Sequence, residues 1–455
     1  MNPSHMWVVL YKTFLMPGWR RHQLILQLHF YVRSGLADSK GMASASTSRM
    51  FAVEPNRSSP NPFYFQSYNH GSRAPSMTAN DWSMLVHGGL AFSVSLNNAG
   101  RVKSARLHKS LGQQLSHQLP GSEILRMISY CPEDLHGSLQ KGFFILPLRC
   151  CPDVQTRLCD VLMAYRQDVQ LCSYSTEEQD IWQHLWELNG EAKKTTRSRV
   201  LRVEEPMSSP FVDTIKGSAV FYSLRDACDV LEECSSVIPE AQKVLASMES
   251  HRIPDRGRYP IIVIEGLDAT GKSTLTESLK SHLNATLVKS PPDSISQWRK
   301  IFDSESSLIK RAYYAIGNYI GAAEIAIASK ASPVIADRFW HSTAAYAIAT
   351  EVGGAICNLP DPHHDVYHWP QDLLQPDLVI LLTVCDEERI RRIRKRGLEE
   401  TKEEKELEDN SMFRQKVEEV YKRMENPGCV IIDASPSMET VLQEALSAIK
   451  KQCDI

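Results

Sequence analysis

The segment that most constrains this chain is a glycine-rich turn between an apolar run and a helical pattern. Residues 266–273 read GLDATGKS and match the pattern G-x-x-x-x-G-K-[ST]. The glycines permit a tight turn whose backbone N–H groups point at phosphate oxygens, and a following helix adds its positive N-terminus. The apolar run 261–264 predicts a strand before the turn, and residues 272–283 predict a helix after it. The sequence therefore predicts a phosphate-binding loop.

The side chains of this loop suit a nucleoside triphosphate with Mg²⁺. Lys272 supplies a point charge for the β and γ phosphates, and Ser273 supplies a hydroxyl ligand for Mg²⁺. The alternative is a glycine turn that binds no ligand. In that case, the predicted strand before the turn and the predicted helix after it would be coincidental. The predicted nucleotide-binding residues are Gly266, Leu267, Asp268, Ala269, Thr270, Gly271, Lys272, Ser273 and Thr274.

From Tyr259 onward, short apolar runs alternate with helical patterns. This alternation predicts an α/β fold, a three-layer P-loop kinase domain with a parallel sheet over residues 260–455. Asp337 closes one predicted strand, where it can hold Mg²⁺ through water, and Arg338 suits a bidentate grip on a monophosphate. A surface ion pair at the strand end is the alternative for these two residues. No N-K-x-D motif of GTPases and no L-S-G-G-Q motif of transporters is present.

The N-terminal half is predicted to be a separate α+β region of unknown role over residues 81–250. Residues 84–96 and 142–150 are typical of strands, and residues 154–167 and 180–188 of helices. The segment 223–250 predicts a helix broken near Pro239. Residues 51–80, rich in Pro, Ser and Asn, predict a linker.

The first residues are typical of a mitochondrial transit segment over residues 1–50. No Asp or Glu occurs between Met1 and Ala37, whereas Lys12, Arg20 and Arg21 lie among apolar residues. The alternative is an N-terminal leader that carries no targeting signal.

Overall composition excludes several classes of partner. The formal net charge of the 455 residues is −3, which does not favour nucleic acid or an acidic membrane surface. The sequence contains no run of eighteen apolar residues, so we expect no stable membrane insertion. The eleven cysteines include no C-x-x-C pair, which favours a reducing compartment. The oligomeric state stays open, with a homodimer as one alternative.

Several segments resemble the thymidylate kinase-like family of nucleoside monophosphate kinases. The similarity covers residues 260–449. Within this range, the sequence most resembles the branch of mitochondrial UMP/CMP kinases. The segments are IEGLDATGKST, KSPPDSISQWRKIFD, GNYIGAAEIA, DRFWHSTAAYAIATEVGG, YHWPQDLL and ENPGCVIIDASPS. The resemblance implies that ATP phosphorylates the pyrimidine nucleoside monophosphates UMP, CMP, dUMP and dCMP. It leaves three alternatives, which are thymidylate kinase proper, a deoxynucleoside kinase with Glu-Arg in place of Asp337-Arg338, and a kinase fold with a non-catalytic signalling role.

The resemblance also implies catalytic roles. Asp268 matches a carboxylate near the acceptor nucleotide, and Ala269 stands where some family members place an arginine. A mobile lid at about residues 389–405 then supplies the missing positive charge. An exposed charged helix or a short coiled coil from 386 to 424 is the alternative to this lid. The catalytic residues implied are Lys272, Asp268, Arg338, Arg392, Arg394 and Arg396.

Acceptor binding is assigned to Arg299, Tyr314, Asn318 and Arg338 by the same resemblance. Tyr314, with Tyr313 as the alternative, occupies the position of a stacking aromatic. Asn318 occupies the position of an arginine that faces the base. An amide both donates and accepts, so it can serve cytosine or uracil, which favours CMP and UMP over TMP. The E-P dipeptide of the family is here Ser290-Pro291, and DAS at 433–435 resembles the segment next to the donor adenine.

Three histidines between residues 363 and 368 invite a zinc interpretation. The segment DPHHDVYHWP is flanked by prolines and lacks the i, i+4 spacing of helical metal ligands. A surface loop is the favoured interpretation of His363, His364 and His368.

Overall fold

The protein is described from a computed structural model over residues 49–55, 61–68, 90–97, 100–147, 153–178, 180–188, 192–204, 206, 209–250, 254–396 and 410–453. The predicted transit segment lies outside the described residues, apart from Arg49 and Met50, which begin the first strand. The second half of the predicted lid, from residue 397 onward, also lies outside them.

The first eight strands form a closed antiparallel barrel. Around the barrel their order is β1-β2-β8-β7-β6-β3-β5-β4. The strands are β1 Arg49–Val53, β2 Phe63–Tyr68, β3 Ala91–Leu96, β4 Ser122–Tyr130, β5 Gln140–Pro147, β6 Val169–Glu177, β7 Asp180–Glu187 and β8 Lys193–Arg202. Aromatic rings fill one of its buried clusters, in which Phe51 and Phe65 stack at 4.8 Å and Tyr174 packs edge-on against Phe65.

The barrel overturns the prediction of a linker over residues 51–80. Residues 51–53 and 63–68 are strands. Apolar side chains such as Phe51, Val53 and Phe65 supply buried faces for them. The strands are short and separated by Pro, Ser and Asn, so the composition of the whole segment hides them.

The predicted helix over residues 180–188 is also wrong, because this segment is strand β7. Ile181 and Gln183 are buried on one face, as a strand requires. Between His184 and Trp186 the pairing with β8 shifts register, and Trp186 is buried as well. This bulge breaks the two-residue alternation, and the resulting spacing of apolar residues resembles that of a helix.

Helices cover the barrel and lead to the C-terminal half. They are α1 Arg101–Gln118, α2 Leu135–Ser138, α3 Val154–Met163, α4 Pro210–Asp213, α5 Leu224–Cys234 and α6 Pro239–Ser250. The structure confirms the predicted break before Pro239, which begins α6.

A five-stranded parallel sheet forms the centre of the C-terminal half. Its order is β10-β11-β9-β12-β13, and every neighbouring pair is parallel. The strands are β9 Ile261–Gly266, β10 Thr286–Lys289, β11 Val334–Asp337, β12 Leu378–Thr383 and β13 Cys429–Asp433. Each falls within one of the predicted apolar runs, so the predicted sheet is confirmed.

The sheet is covered by α7 Lys272–Leu283, α8 Asp293–Ser296, α9 Arg299–Asp303, α10 Ser307–Ala328, α11 Trp340–Glu351, α12 Asp386–Arg396, α13 Ser411–Arg423 and α14 Met438–Gln452, with 3-10 turns at Ile356–Asn358 and Asp365–Tyr367. Helix α13 packs against α11 and buries Phe413, Val417 and Tyr421. It is therefore a core helix and not the coiled coil or exposed helix considered for residues 386–424.

Part of the N-terminal half belongs to the core of the C-terminal half. Helices α5 and α6 pack against α10, and Val230 and Val244 belong to the same buried cluster as Ile316. The barrel has buried clusters of its own, but residues 224–250, which the prediction placed in a separate region, belong to the core of the kinase half. In the described part of the chain, no helix combines the length and apolar character that crossing a membrane requires.

Candidate active site

The phosphate loop joins β9 to α7 and depends on backbone that few residues adopt. Gly266 has a φ of 143°, and a Cβ there would lie 2.6 Å from the Leu382 carbonyl oxygen. Gly271 has a φ of 98° and caps the N-terminus of α7. Ala269 has a φ of 64°, a left-handed conformation that costs a residue with a side chain about 1 kcal/mol. The loop therefore requires glycine at positions 266 and 271 and keeps Ala269 in an unfavourable backbone conformation.

Lys272 is buried at the centre of this loop. Its Nζ donates to the Leu267 carbonyl oxygen at 2.7 Å and lies 3.8 Å from Oδ1 of Asp268. Burial, together with the nearby charge of Arg338, lowers the pKa of Lys272 to about 7. Asp268 and Asp337 offset only part of this shift. An anion at the loop would favour the charged lysine, because it supplies the counter-charge that burial withholds.

Arg338 follows β11 in a left-handed conformation, with a φ of 67°. Its backbone N–H donates to the Ile264 carbonyl oxygen at 3.0 Å, and its Nη2 donates to Oδ1 of Asp268 at 2.7 Å. Asp337 ends β11 in register with Ile264. The strand order thus brings the predicted Asp337-Arg338 pair to the mouth of the phosphate loop.

A cleft of about 250 Å³ opens beside the loop. Four of the predicted residues line it, namely Asp268, Arg299, Tyr314 and Arg338. Nε of Arg299 donates to the Tyr314 hydroxyl at 3.0 Å. The predicted residues therefore contribute two guanidinium groups and one aromatic ring to the lining of a space next to the loop. The other lining residues are Ser290, Pro291, Arg311, Phe339, Ser342, Thr343 and Tyr346.

The structure decides between Tyr313 and Tyr314 as the aromatic of this cleft. Tyr313 is fully buried, stacks on Phe302 at 4.5 Å and donates to the Ile295 carbonyl oxygen. Tyr314 lines the cleft. Only Tyr314 is placed to meet a ligand there.

Asn318 does not line the cleft, contrary to its predicted contact with the base. It is 1% exposed, and its Nδ2 donates to Thr343 Oγ1 at 3.1 Å. Its Oδ1 accepts from Ser290 Oγ at 3.4 Å. Both ends of the amide are engaged by neighbours in the cleft wall, so Asn318 positions Thr343 and Ser290.

The predicted lid arginines occupy different environments. Arg392 reaches the loop, where Nη1 donates to the Thr270 carbonyl oxygen at 3.3 Å and Nη2 to the Ala434 carbonyl oxygen at 2.7 Å. Arg392 thereby connects the loop to the DAS segment that contains Ala434. Arg394 is exposed on α12, and the side chain of Arg396 lies outside the described residues.

The three histidines considered for zinc lie in a loop near the start of β13. His363 is exposed and contacts Glu425, as does His368 at 3.5 Å. His364 contacts Asp365.

Comparison with known proteins identifies the family. Residues 264–445 match the family model described as thymidylate kinase. The chain is 48% identical over 356 residues to "UMP-CMP kinase 2, mitochondrial" of Homo sapiens, an alignment that covers 77% of this chain and 79% of that protein. The chain belongs to the thymidylate kinase-like family. It is an enzyme, a nucleoside monophosphate kinase.

Two further comparisons match the kinase half. The chain is 28% identical over 202 residues to "Probable thymidylate kinase" of Methanococcus maripaludis, which covers 41% of this chain and 94% of that protein. A solved thymidylate kinase structure from Candida albicans has 21% identity, covers 43% of this chain and 92% of that chain, and gives a TM-score of 0.33. The alignment with the human relative is longer than the kinase half, so it includes part of the N-terminal half.

Glu265, at the end of β9 beside the loop, is not among the site residues predicted from the sequence. Its buried carboxylate accepts from the N–H of Phe339 at 2.9 Å, the N–H of Ser342 at 3.2 Å and the hydroxyl of Tyr421 at 3.2 Å, and also from the Ser342 hydroxyl. Burial raises the pKa of Glu265, although Arg338 opposes the shift. These contacts fix the start of α11 directly after Arg338. An acid inside the apolar run IVIEG was the signal that could have found it.

Ser273 and Asp337 fit the Mg²⁺ ion that the kinase family implies. Mg²⁺ in such sites takes one or two protein oxygens and fills its remaining positions with phosphate oxygens and water. In the described ranges, no group of three or more His, Cys, Asp or Glu residues can hold a metal alone. The exposed Ser273 hydroxyl and the Asp337 carboxylate at the strand end are oxygen donors of the required kind. Glu265 is committed to its four hydrogen bonds.

Proposed function

We propose that this protein transfers the γ-phosphoryl group of ATP to UMP, CMP, dUMP and dCMP in the mitochondrion. The observation that carries the proposal is the cleft beside the phosphate loop, where Arg299 and Arg338 face a space that also borders Tyr314. Two cations suit a monophosphate, and an aromatic ring suits a stacked base. The printed name of the human relative, at 48% identity, supports the pyrimidine acceptors and the compartment.

In the proposed reaction, the loop N–H groups and Lys272 hold the β and γ phosphates of ATP. Mg²⁺ held by Ser273 and Asp337 would neutralise charge on those phosphates. Arg338 holds the acceptor phosphate, and Asp268 fixes the Arg338 guanidinium through the 2.7 Å contact. The acceptor phosphate is already anionic, so it attacks in line without a strong general base.

Arg392 is the cation proposed to stabilise the transferred phosphoryl group. It is the one predicted lid arginine whose described side chain contacts the loop, through the Thr270 carbonyl oxygen. A charge that develops on the phosphoryl group beside this carbonyl would draw Arg392 toward it. Catalytic roles for Arg394 and Arg396 stay predictions.

Steady-state kcat/KM for UMP, CMP, dUMP, dCMP and TMP tests the assignment. We expect kcat/KM for UMP and CMP, or for their deoxy forms, to exceed kcat/KM for TMP. A clear preference for TMP would make the protein a thymidylate kinase, the alternative that the matched family model and the Methanococcus relative favour.

The mitochondrial address is tested with a fluorescent tag at the C-terminus of the full chain. We propose that residues 1–50 direct import, because they are basic and contain no acid before Asp38. The tagged chain is expected in mitochondria, and a chain that lacks residues 1–47 is expected outside them. An unchanged distribution after the truncation would contradict the transit role.

A further inference from the structure

Arg311 in α10 is a buried guanidinium that no step of the proposed reaction uses. Its side chain lines the acceptor cleft and the residue is 9% exposed. Nη2 donates to Thr350 Oγ1 at 3.4 Å, the long limit of a hydrogen bond, and Nε has no hydrogen-bond partner among the described residues. An unpaired buried donor is costly, so a ligand that accepts from Arg311 would recover that cost.

The position of Thr350 places this guanidinium at the end of the cleft away from the phosphate loop. Helix α11 begins at Trp340, directly after Arg338 and Phe339. Thr350 is near its other end, about 15 Å along the axis at 1.5 Å per residue. If Arg338 holds the acceptor phosphate, Arg311 faces the opposite part of the nucleotide, which is the base.

Tyr314 supports the same placement. It follows Arg311 by three residues in α10, so the two side chains lie on one face of the helix. Both line the cleft. A base stacked on Tyr314 therefore has an edge toward Arg311.

Glu351, at the end of α11, is a carboxylate near this end of the cleft. Burial opposes ionisation of Glu351, but Lys141, Arg126 and Arg311 outweigh it and lower the pKa of this carboxyl. The Glu351 carboxylate pairs with Arg126 at 3.7 Å and adds negative charge near Arg311, so a neutral acceptor such as a carbonyl oxygen suits this end of the cleft. A second anion at this place would have to compete with Glu351.

We propose that Arg311 determines specificity by donating a hydrogen bond to the C2 carbonyl oxygen of a pyrimidine base stacked on Tyr314. This inference rests on the proposed function. Uracil carries a carbonyl at C4 and cytosine carries an amine there, whereas both carry the carbonyl at C2. A guanidinium only donates, so one fixed arginine serves both bases through the group that they share. Adenine has no carbonyl and offers Arg311 only ring nitrogens, at different positions, as acceptors.

The test combines Arg311→Met with a change of one acceptor atom. In the wild type we expect kcat/KM for UMP to exceed that for 2-thio-UMP about tenfold, because sulfur is a weak acceptor. Arg311→Met keeps most of the buried volume, and it should raise KM for UMP and CMP roughly 10- to 100-fold, the value of a hydrogen bond to a charged group. The variant should no longer discriminate between UMP and 2-thio-UMP, and its KM for ATP should be unchanged.

Arg225→Met is the matched control, because Arg225 is exposed on α5 and pairs with Asp229. It should behave as the wild type in every assay. The proposal is overturned if the wild type uses UMP and 2-thio-UMP equally, or if Arg311→Met discriminates between them as the wild type does. Equal use of the two nucleotides by the wild type overturns the proposal even if Arg311→Met does not fold.

Failure of the proposed function gives a different result. Thymine also carries the C2 carbonyl, so a protein that accepts only TMP would refute the UMP and CMP assignment, and TMP against 2-thio-TMP would then test Arg311. Equal turnover of purine and pyrimidine monophosphates would refute both.

Discussion

The phosphate loop comes from one continuous stretch, residues 264–274, whereas the acceptor cleft draws on the loop, residues 290–299, α10 and α11. The loop satisfies its own polar groups, since Lys272 and Thr270 both donate to the Leu267 carbonyl oxygen. The cleft depends on distant support. Arg126 of barrel strand β4 binds Glu54 at 2.8 Å and the Glu351 carbonyl oxygen at 3.1 Å, at the end of α11. The loop proposed to bind ATP, the phosphate donor, is therefore built by one local segment. The cleft proposed to bind the acceptor nucleotide is built by several distant segments, and the barrel supports it.

The largest effect is expected when the local site loses its cation. Lys272→Ala should lower kcat by about 10³-fold or more, because it removes the buried cation that the loop supplies to the β and γ phosphates. Lys280→Ala is the control, since Lys280 is on the outside of the same helix and pairs with Glu277. Steady-state assays and thermal unfolding of both variants separate catalysis from folding. Substantial turnover by folded Lys272→Ala would remove the loop from the mechanism.

The next effect tests whether a second segment completes the donor site. Arg392→Met should lower kcat about 10²- to 10³-fold. This is the usual effect of removing one hydrogen-bond donor that stabilises charge in the transition state. Arg391→Met is a neighbouring control, because Arg391 is exposed and pairs with Glu388. Equal kcat for the two variants would show that the loop works without α12.

A smaller effect follows from the pKa of Lys272, which burial lowers to about 7. At pH 8 the lysine is mostly neutral in the nucleotide-free protein, and bound phosphates favour its charged form. ATP binding at pH 8 should therefore take up close to one proton, and this contribution should weaken ATP affinity about tenfold per unit as pH rises above 7. Below pH 7 the lysine is already charged and the uptake should vanish.

Calorimetry in buffers of different ionisation enthalpy measures this uptake directly. Lys272→Arg is the control, since a guanidinium stays charged at pH 8 and should take up no proton. The same uptake by wild type and Lys272→Arg would contradict the assignment to Lys272.

The smallest effect sharpens the role of the barrel. Arg126→Met should raise KM for the acceptor roughly two- to fivefold and leave KM for ATP unchanged, because a partly exposed ion pair is worth up to about 1 kcal/mol. Arg197→Met removes an exposed pair with Glu177 on the same barrel and should change neither constant. Equal changes in both Michaelis constants for Arg126→Met would mean that the barrel stabilises the whole fold and not the acceptor cleft.

The same contrast between local and assembled sites explains what the sequence predicted. The strand β9, the loop and helix α7 were found because their pattern is continuous. The parallel sheet was found because each strand is a compact apolar run. The barrel was missed because its strands β1 and β2 are short and lie in a segment whose composition is typical of a linker, and because a bulge disguises β7.

The acceptor cleft was predicted only in part, for a related reason. Tyr314 and Asn318 are one helical turn apart, but only the fold shows that Tyr314 faces the cleft and that Thr343 and Ser290 occupy the amide of Asn318. Arg311 was missed because a single arginine in an apolar helix carries no local pattern. Its place beside Thr350 depends on the packing of α10 and α11.

One crystal structure tests the central claim most directly, that the loop and the cleft hold the two nucleotides of one transfer. The ligand is a bisubstrate inhibitor in which a polyphosphate chain joins adenosine to uridine. We expect its phosphates within hydrogen-bond distance of the loop N–H groups and Arg338, with uracil stacked on Tyr314. Uridine bound outside the cleft, or a loop without phosphate, would contradict the account.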